Sequence, residues 1–302
     1  MSDTGIIIVT YNSAAEIGEC LDAAIPSGAE IVVVDNASTD STRTEVERRN
    51  VRLIANSQNR GFAAAVNQGF AAVSSPYVLL LNPDAVIQSS LAPLREACDL
   101  PGCAGAGGQL VDSAGRPQAG FMVRRLPTVA SLSLEALLLN RLWPGNPVNR
   151  RYRCLDLDLS AASLVEQPAG AFFMVRRAVW EELGGLDESF FPLWFEDVDF
   201  CSRIKDLGLS LYYMPLAVAK HTGGHSIPQL TVENRRVYWY RSLLRYTFKH
   251  FPPVQARVVC LAVLGGAFLR GLAESASSHS GKPIVVYGRV AKLAGRFLVL
   301  GS

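Results

Sequence analysis

Glu30-Ile31-Val32-Val33-Val34-Asp35 is a short β-branched run that closes on a carboxylate. Such a run, apolar throughout and bounded by polar residues, reads as a strand buried on both faces. Residues 5–10 upstream and 77–81 downstream have the same character, and residues 51–55 form a weaker version. Between these runs, residues 14–24 read as a helix with Ile17 and Leu21 on one face. Residues 38–49 read as a polar helix capped by Ser38 or Thr39, and residues 62–73 as an Ala-rich helix. Buried strands joined by helices predict a mostly parallel, Rossmann-like α/β sheet flanked by helices, with right-handed crossovers. Sheets of this kind gather ligands at the carboxyl ends of their strands, where Asp35 lies.

From 98 to about 167 the pattern loosens, with frequent Gly and Pro and a Leu-rich helical segment at 132–143. It returns with a strand at 171–175, helices at 177–183 and 197–207, and a strand at 210–214. Gly105-Ala106-Gly107-Gly108 does not complete a dinucleotide fingerprint, because position 110 is Leu. The six cysteines form no CxxC pair, which argues against a structural zinc site and for reduced thiols in a cytoplasmic protein. No basic segment followed by an apolar run opens the chain, so a secretory signal is not expected. A net charge of +2 without a basic-aromatic stripe of RNA-binding type argues against nucleic acid as a partner.

Two acidic stations carry the chemistry. In Leu79-Leu80-Leu81-Asn82-Pro83-Asp84 an apolar strand stops at a proline, which removes a ladder donor and turns Asp84 out of the sheet. A single carboxylate suits a hard divalent cation whose other ligands come from substrate phosphates; an ordinary turn would also use Asn, Pro and Asp. In Phe195-Glu196-Asp197-Val198-Asp199 an acidic pair precedes a helix with Phe200, Ile204 and Leu207 on its apolar face. Asp197 is the expected N-cap, a position that favours the ionised form, and Asp199 can pair with Arg203. Phe190, Phe191, Trp194 and Phe195 suit either a core or a stacking wall for a sugar ring. His221 heads a Gly-rich loop, His221-Thr222-Gly223-Gly224-His225-Ser226, where imidazole could complete a metal site with Asp84.

Taken in order, these segments resemble the inverting family-two glycosyltransferases of GT-A fold, in particular the rhamnosyltransferase-like branch. The resemblance rests on Val9 to Ser13, Val33 to Asp40, Asn59-Arg60-Gly61-Phe62, Leu81 to Asp84, Gly170-Ala171-Phe172-Phe173, Phe195 to Asp199 and His221 to Ser226. It implies a nucleotide-diphosphate sugar donor (dTDP- or UDP-sugar), a divalent metal (Mg2+ or Mn2+), and a saccharide or polyprenyl-linked acceptor in cell-envelope polysaccharide synthesis. On it, Asp197 is the general base, and Asp84 and His221 hold the metal. Thr10, Tyr11, Asn12, Asp35, Asn36, Asn59, Gly61, Phe62, Asn67, Asn82 and Asp84 bind the donor. Gly170, Ala171, Trp194 and Glu196 meet the acceptor. Asn82 stands where the D-x-D motif of the wider family has its first Asp. The domains expected are a catalytic domain over 1–226, with a donor half to about 97 and an acceptor half after it, and a helical region over 227–302.

That last region changes composition. Residues 234–251 hold five cations, no carboxylate and five Tyr, Trp or Phe before Phe251, a helix suited either to an anionic inner-membrane surface or to packing as a helical pair. The uncharged run 258–269 is shorter than the ~20 residues that span a bilayer. Two other functions fit a nucleotide-binding α/β chain. A sugar nucleotidyltransferase would carry a Gly-rich, Lys- or Arg-bearing loop where Tyr11-Asn12-Ser13 stands. A catalytically silent binding subunit would not need Asp84, Asp197 and His221 together.

Overall fold

The computed structural model describes residues 3–223 and 231–301. Strands and helices first alternate: β1 (Thr4–Thr10), α1 (Ile17–Ala24), β2 (Glu30–Asp35), α2 (Thr42–Glu47), β3 (Arg52–Ala55), α3 (Phe62–Ala72) and β4 (Tyr77–Leu81). Then follow β5 (Ala85–Ile87), α4 (Ala92–Cys98), β6 (Cys103–Val111), β7 (Val123–Arg124), α5 (Val129–Ala136), α6 (Leu139–Leu142) and α7 (Pro147–Tyr152). After β8 (Ser163–Val165) and β9 (Gln167–Pro168) come β10 (Phe172–Arg176), α8 (Arg177–Leu183), α9 (Glu196–Asp206) and β11 (Ser210–His221). Three long helices end the chain: α10 (Val232–His250), α11 (Pro253–Ser278) and α12 (Lys282–Leu300). These elements form two compact units, one of Met1–Arg125, Arg153–Pro192 and Glu196–Ser226, the other of Leu126–Tyr152, Leu193–Phe195 and Ile227–Ser302. His225 and Ser226 lie outside the described residues.

The first unit is built on a sheet of order β3-β2-β1-β4-β10-β6-β11-β5, with β8 added on β11. The strands expected to be parallel are so: β1 pairs with β2 and β4, and β2 with β3. Their centres, Ile6 to Ile8, Val32 to Val34 and Val78 to Leu81, are buried on both sides, which is why these runs carry no polar alternation. The second half is mixed. β10 runs antiparallel between β4 and β6, while β11 is parallel to β6 and antiparallel to β5 and β8. The expected strand at 210–214 runs on to His221, with the register on β6 slipping between Met214 and Val218.

Small residues set how closely the layers approach. On α3, Ala63, Ala64, Ala65 and Gly69 face inward, and a Cβ on Gly69 would stand 2.5 Å from Ile7 Cγ2 of β1. The Gly-rich stretch rejected as a dinucleotide loop is the middle of β6. There a Cβ on Gly107 would meet Pro168 at 2.5 Å, and one on Gly108 would meet the Ala217 carbonyl at 2.6 Å and overlap the Phe172 ring. Glycine in a strand interior marks such close approach.

In the second unit, the expected helix 132–143 is two helices. α5 opens with a capping box between Thr128 and Ser131, and the chain breaks at Leu138, whose φ is +67°. The aromatic helix α10 turns its apolar residues inward, with Tyr240, Leu243, Leu244 and Tyr246 buried. Phe195 packs against Trp239 and Tyr246, so this aromatic of the 190–195 cluster is core. The apolar run 258–269 extends at both ends into a 26-residue helix. α11 and α12 pack antiparallel: the Cys260 thiol donates to the Ala294 carbonyl at 2.9 Å, and Gly271 lies against Tyr287.

The packing account makes a two-sided prediction. Gly108→Val should destabilise the protein by about 2–3 kcal/mol, because backbone and a buried ring occupy the space. Gly288→Ala, on α12 with no atom near its Cβ position, should stabilise by up to ~1 kcal/mol. Denaturant unfolding of both variants checks this, and shifts of the same sign would contradict it.

Candidate active site

The first two βα loops are tied together at the carboxyl ends of β1 and β2. Asp35 is fully buried and accepts from the Thr10 hydroxyl at 3.1 Å, the Ser38 N–H at 3.0 Å and Arg43 Nε at 2.7 Å. Asn12, at φ +49°, accepts from the Thr39 N–H at 2.7 Å through its side-chain oxygen, and its own N–H donates to Ser38 Oγ at 2.8 Å. Tyr11, between Thr10 and Asn12, is half-buried. These bonds explain why α2 starts at Thr42 instead of the expected Ser38. Residues 38–40 are held by Asn12 and Asp35, and Asp40, not Ser38 or Thr39, accepts the Thr42 N–H at 3.0 Å.

A second polar cluster fixes the start of α3. The Asn36 amide donates to Asn59 Oδ1 at 3.0 Å and to the Gly61 carbonyl at 3.1 Å, and accepts from the Arg60 N–H at 2.9 Å. Gly61 sits at φ +86° with Phe191 where a Cβ would be, and the Phe62 N–H donates to the Pro192 carbonyl at 2.7 Å. Asn67 does not join this group. Its amide bonds both the N–H and the carbonyl of Leu186, at 3.0 and 2.9 Å, and so ties α3 to the segment after α8.

At the end of β4 the chain turns at Asn82-Pro83-Asp84, with the Asn82 N–H donating to the Ala171 carbonyl and the Ala85 N–H to Asn82, each at 3.0 Å. Pairing of β5 with β11 puts His221 opposite Ala85, and both His221 and Asp84 are buried. His221 Nε2 lies 3.5 Å from Asp84 Oδ1. Gln118 grips His221 from behind: its NH2 donates to the His221 carbonyl at 2.6 Å, and its Oε1 lies 3.0 Å from Nδ1. The first bond fixes which way the amide points, so Nδ1 must carry the proton that Oε1 accepts. In the neutral ring Nε2 is then left with a lone pair directed to the Asp84 side. Phe121 stacks on the ring at 5.2 Å. A carboxylate oxygen and an imidazole nitrogen this close fit a borderline-hard divalent cation. Among the described residues no third His, Cys, Asp or Glu completes a cluster, so the donor set fits an ion whose other ligands are substrate and water.

The second station lies one backbone step away. Ala171, which accepts from Asn82, follows Gly170, and a Cβ on Gly170 would stand 3.6 Å from Asp197 Cβ. Asp197 is in the first turn of α9, not at its N-cap, because the helix begins at Glu196. Its Oδ1 accepts from the Val198 N–H at 2.8 Å, and Gln167 Nε2 lies 3.5 Å from Oδ2. The expected lowering of its pKa does not occur. Burial raises it, against smaller opposing effects from the Val198 N–H and the field of Arg124. Glu196 is raised well above the usual carboxylate range, by burial first and then by Asp197. Glu196 Oε2 and Gln167 Oε1 are both buried without a hydrogen-bond partner in the structure. Asp199 pairs with Arg203 at 2.9 Å as expected, whereas Leu207 falls past the helix end and is exposed. Phe190 is buried, and Trp194, at φ +76°, belongs to the second unit.

Residues 5–184 match the family model for glycosyl transferase family 2. The chain belongs to this family. It is 28% identical to the N-acetylglucosaminyl-diphospho-decaprenol L-rhamnosyltransferase of Mycobacterium tuberculosis, over 81% of this chain and 88% of the relative. It is 23% identical to the rhamnosyltransferase WbbL of Escherichia coli, over 64% of this chain and 68% of that protein. Among solved structures it resembles the mannosyltransferase PcManGT of Pyrobaculum calidifontis in complex with GDP-Man and Mn2+, with a TM-score of 0.57, 18% identity, and coverage of 99% of this chain and 88% of that one. The fold is therefore the GT-A fold, and the chain is a nucleotide-sugar-dependent glycosyltransferase. The family match ends before Glu196, so Asp197 and His221 join the site through the geometry above. Gln118, Gln167 and Arg124 were not found in the sequence; all three lie in or beside the Gly- and Pro-rich stretch, where no local pattern marks them.

Glu196 gives a test with a definite sign. Its folded-state pKa is raised, so the folded chain holds the proton more tightly than the unfolded one, and stability is lost as pH rises through the folded value. Glu196→Gln keeps the shape and removes the titration. Its melting temperature should therefore gain on the parent more at pH 8 than at pH 5, by scanning fluorimetry. An equal difference at both pH values would show that burial of this carboxyl is not the cause.

Proposed function

We propose that this enzyme is an inverting rhamnosyltransferase acting at the cytoplasmic face of the inner membrane. It transfers the sugar of a dTDP- or UDP-linked donor to a saccharide carried on a polyprenyl diphosphate, in envelope polysaccharide synthesis. The observation that carries this reading is the short path Asn82–Ala171–Gly170–Asp197, which joins the turn after β4 to a carboxylate that, among the described residues, has no cation at bonding distance. The names of the two rhamnosyltransferase relatives, one acting on a decaprenol-linked sugar, support the sugar and the acceptor.

In this reading residues up to about 97 form the donor half of a catalytic domain ending near 226, with the acceptor half after 97 and a helical region from 227. Asp35 and Asn36 act by shaping the loops that receive the nucleotide, with Thr10, Tyr11, Asn12, Asn59, Gly61 and Phe62 lining them and Asn82 at the diphosphate end. Asp84 and His221 would hold Mg2+ or Mn2+, as Mn2+ accompanies PcManGT and GalNAc-T7 in their solved complexes. When bound, such a cation offsets the charge that develops on the departing diphosphate. Gly170, Ala171 and Glu196 form the acceptor side. Ionised Asp197 takes the proton of the acceptor hydroxyl while that oxygen bonds to the anomeric carbon. The carbon–oxygen bond to the nucleoside diphosphate breaks on the opposite side and its electron pair leaves with the phosphate, so one displacement inverts the centre. Glu196, whose pKa burial raises, lies beside the base on the acceptor side.

Asp197→Asn should lower kcat by about 10²–10⁴-fold with the donor dissociation constant unchanged; parental turnover would sink the assignment. Because burial raises the Asp197 pKa, the acid limb of kcat/KM should fall at a higher pH than for an ordinary aspartate. Gln118→Leu should weaken Mn2+ binding by about 10–100-fold, read by electron paramagnetic resonance of free Mn2+. Asp197→Asn should leave that affinity unmoved, which separates the two roles.

A further inference from the structure

The second unit has an outer surface that its own packing does not explain. On α11, Val254, Val258, Leu261, Phe268 and Leu272 recur at helical spacing and are exposed, Leu261 at 55% and Phe268 at 67%. The stripe runs about 27 Å at 1.5 Å per residue, with the exposed Arg257 at its edge near the N-terminal end of the helix. The opposite side of α11 is filled: Cys260 meets α12, and Gly266 packs on the Ala136 carbonyl of α5. The neighbouring α12 exposes Lys282, Arg289, Lys292 and Arg296. Across both helices there are six Lys or Arg, and the one carboxylate, Glu274, is engaged by Arg236 at 2.5 Å and Tyr287 at 2.9 Å. An apolar stripe beside a row of unneutralised cations is complementary to one kind of surface, hydrocarbon beneath anionic headgroups.

We propose that α11 and α12 form a docking face for an anionic lipid bilayer, with α11 lying in the plane of the interface instead of crossing it. By length and composition α11 could cross, since an 18-residue window has a mean hydropathy of 1.7. Its partner forbids this. The antiparallel register sets Cys260 beside Ala294, so Lys292 and Arg296 are level with the middle of the stripe. Carrying each cation to the bilayer centre would disfavour insertion by roughly a hundredfold, and 44% of the apolar window is already buried by protein. Lying flat, the stripe enters the acyl boundary while the cations stay at headgroup level. The surface is therefore α11 and α12, not the aromatic helix α10 that the composition suggests, because α10 spends its apolar side inside the unit. The purpose of the face rests on the lipid-linked acceptor proposed above, but its existence does not.

Flotation of the full chain with vesicles of phosphatidylglycerol and phosphatidylethanolamine tests this, against vesicles of phosphatidylcholine alone. The chain should float with the anionic vesicles, and 0.5 M salt or alkaline carbonate should release it. Leu261→Asp with Phe268→Asp should abolish flotation, and Lys292→Gln with Arg296→Gln should weaken it about fivefold per cation removed, all at parental melting temperature. These side chains are exposed, so folding should survive; Val258→Ser with Leu272→Ser offers a milder second pair. Absent flotation, equal binding to the neutral vesicles, resistance to carbonate, or a dimer in solution that the Asp pair dissolves would each overturn the proposal. Sugar transfer to a water-soluble acceptor should be the same in parent and variants. Transfer without flotation defeats the docking face alone, and flotation without transfer from any donor defeats the proposed reaction alone.

Discussion

The insertion of β10 between β4 and β6 is the constraint on which the site depends. Antiparallel pairing sets Leu81 opposite Phe172, and the ladder is carried one residue further by the bond from the Asn82 N–H to the Ala171 carbonyl. That bond fixes where the donor-side turn ends relative to Gly170, and Gly170 in turn sits against Asp197. Residues that lie 113 positions apart, 84 and 197, are thereby referred to one piece of backbone. The glycines of β6 serve the same arrangement from the other side, since side chains at Gly107 or Gly108 would push Pro168 and Phe172 away.

Asp35 and Glu196, both buried, and the half-buried Asp197 show how burial and partners divide the work. Asp35 is as buried as any residue in the chain but receives a guanidinium, a hydroxyl and a backbone N–H, so its charge is compensated where it sits. Glu196 has no such set. Burial, and then the neighbouring Asp197 and Asp199, raise its pKa well above the usual carboxylate range. Asp197 falls between them, with one backbone donor, a distant cation and a long contact to Gln167. Two adjacent acids are thus both raised by burial but differ in the donors that oppose it.

Much of the fold was legible because its signals are local. The runs at β1, β2 and β4 and the Ala-rich helix α3 all depend on near neighbours in sequence, and each stands where expected. What failed depended on distant partners. The start of α2 is displaced because Asn12, from another loop, captures Thr39 and Ser38. The antiparallel entry of β10 is a choice of strand order that no single segment encodes. Composition left the aromatic row of α10 open between a surface and a packed helical pair, because it does not say which side of a helix is covered; Tyr240 and Tyr246 are buried. The Asp197 pKa was misjudged for an energetic reason. A helix N-terminus is worth about 0.3–1 kcal/mol, whereas desolvating a carboxylate costs several kcal/mol, so burial wins once the pair is inside.

The proposed metal site rests on one carboxylate and one imidazole. With Asn at position 82 the turn offers only Asp84, and an anionic oxygen alone would bind a divalent cation weakly. The compensation comes from β11, whose pairing with β5 delivers His221 to within 3.5 Å of Asp84. An imidazole helps only in the tautomer that leaves Nε2 unprotonated, and a free ring populates both. Gln118 removes that freedom, because its NH2 is committed to the His221 backbone and its oxygen is then the only group it can offer to Nδ1. A neutral amide held by the main chain thus decides the chemistry of a ring nitrogen two bonds beyond its reach. In the proposed site the nitrogen beside Asp84 is therefore set by Gln118, a residue far from either motif.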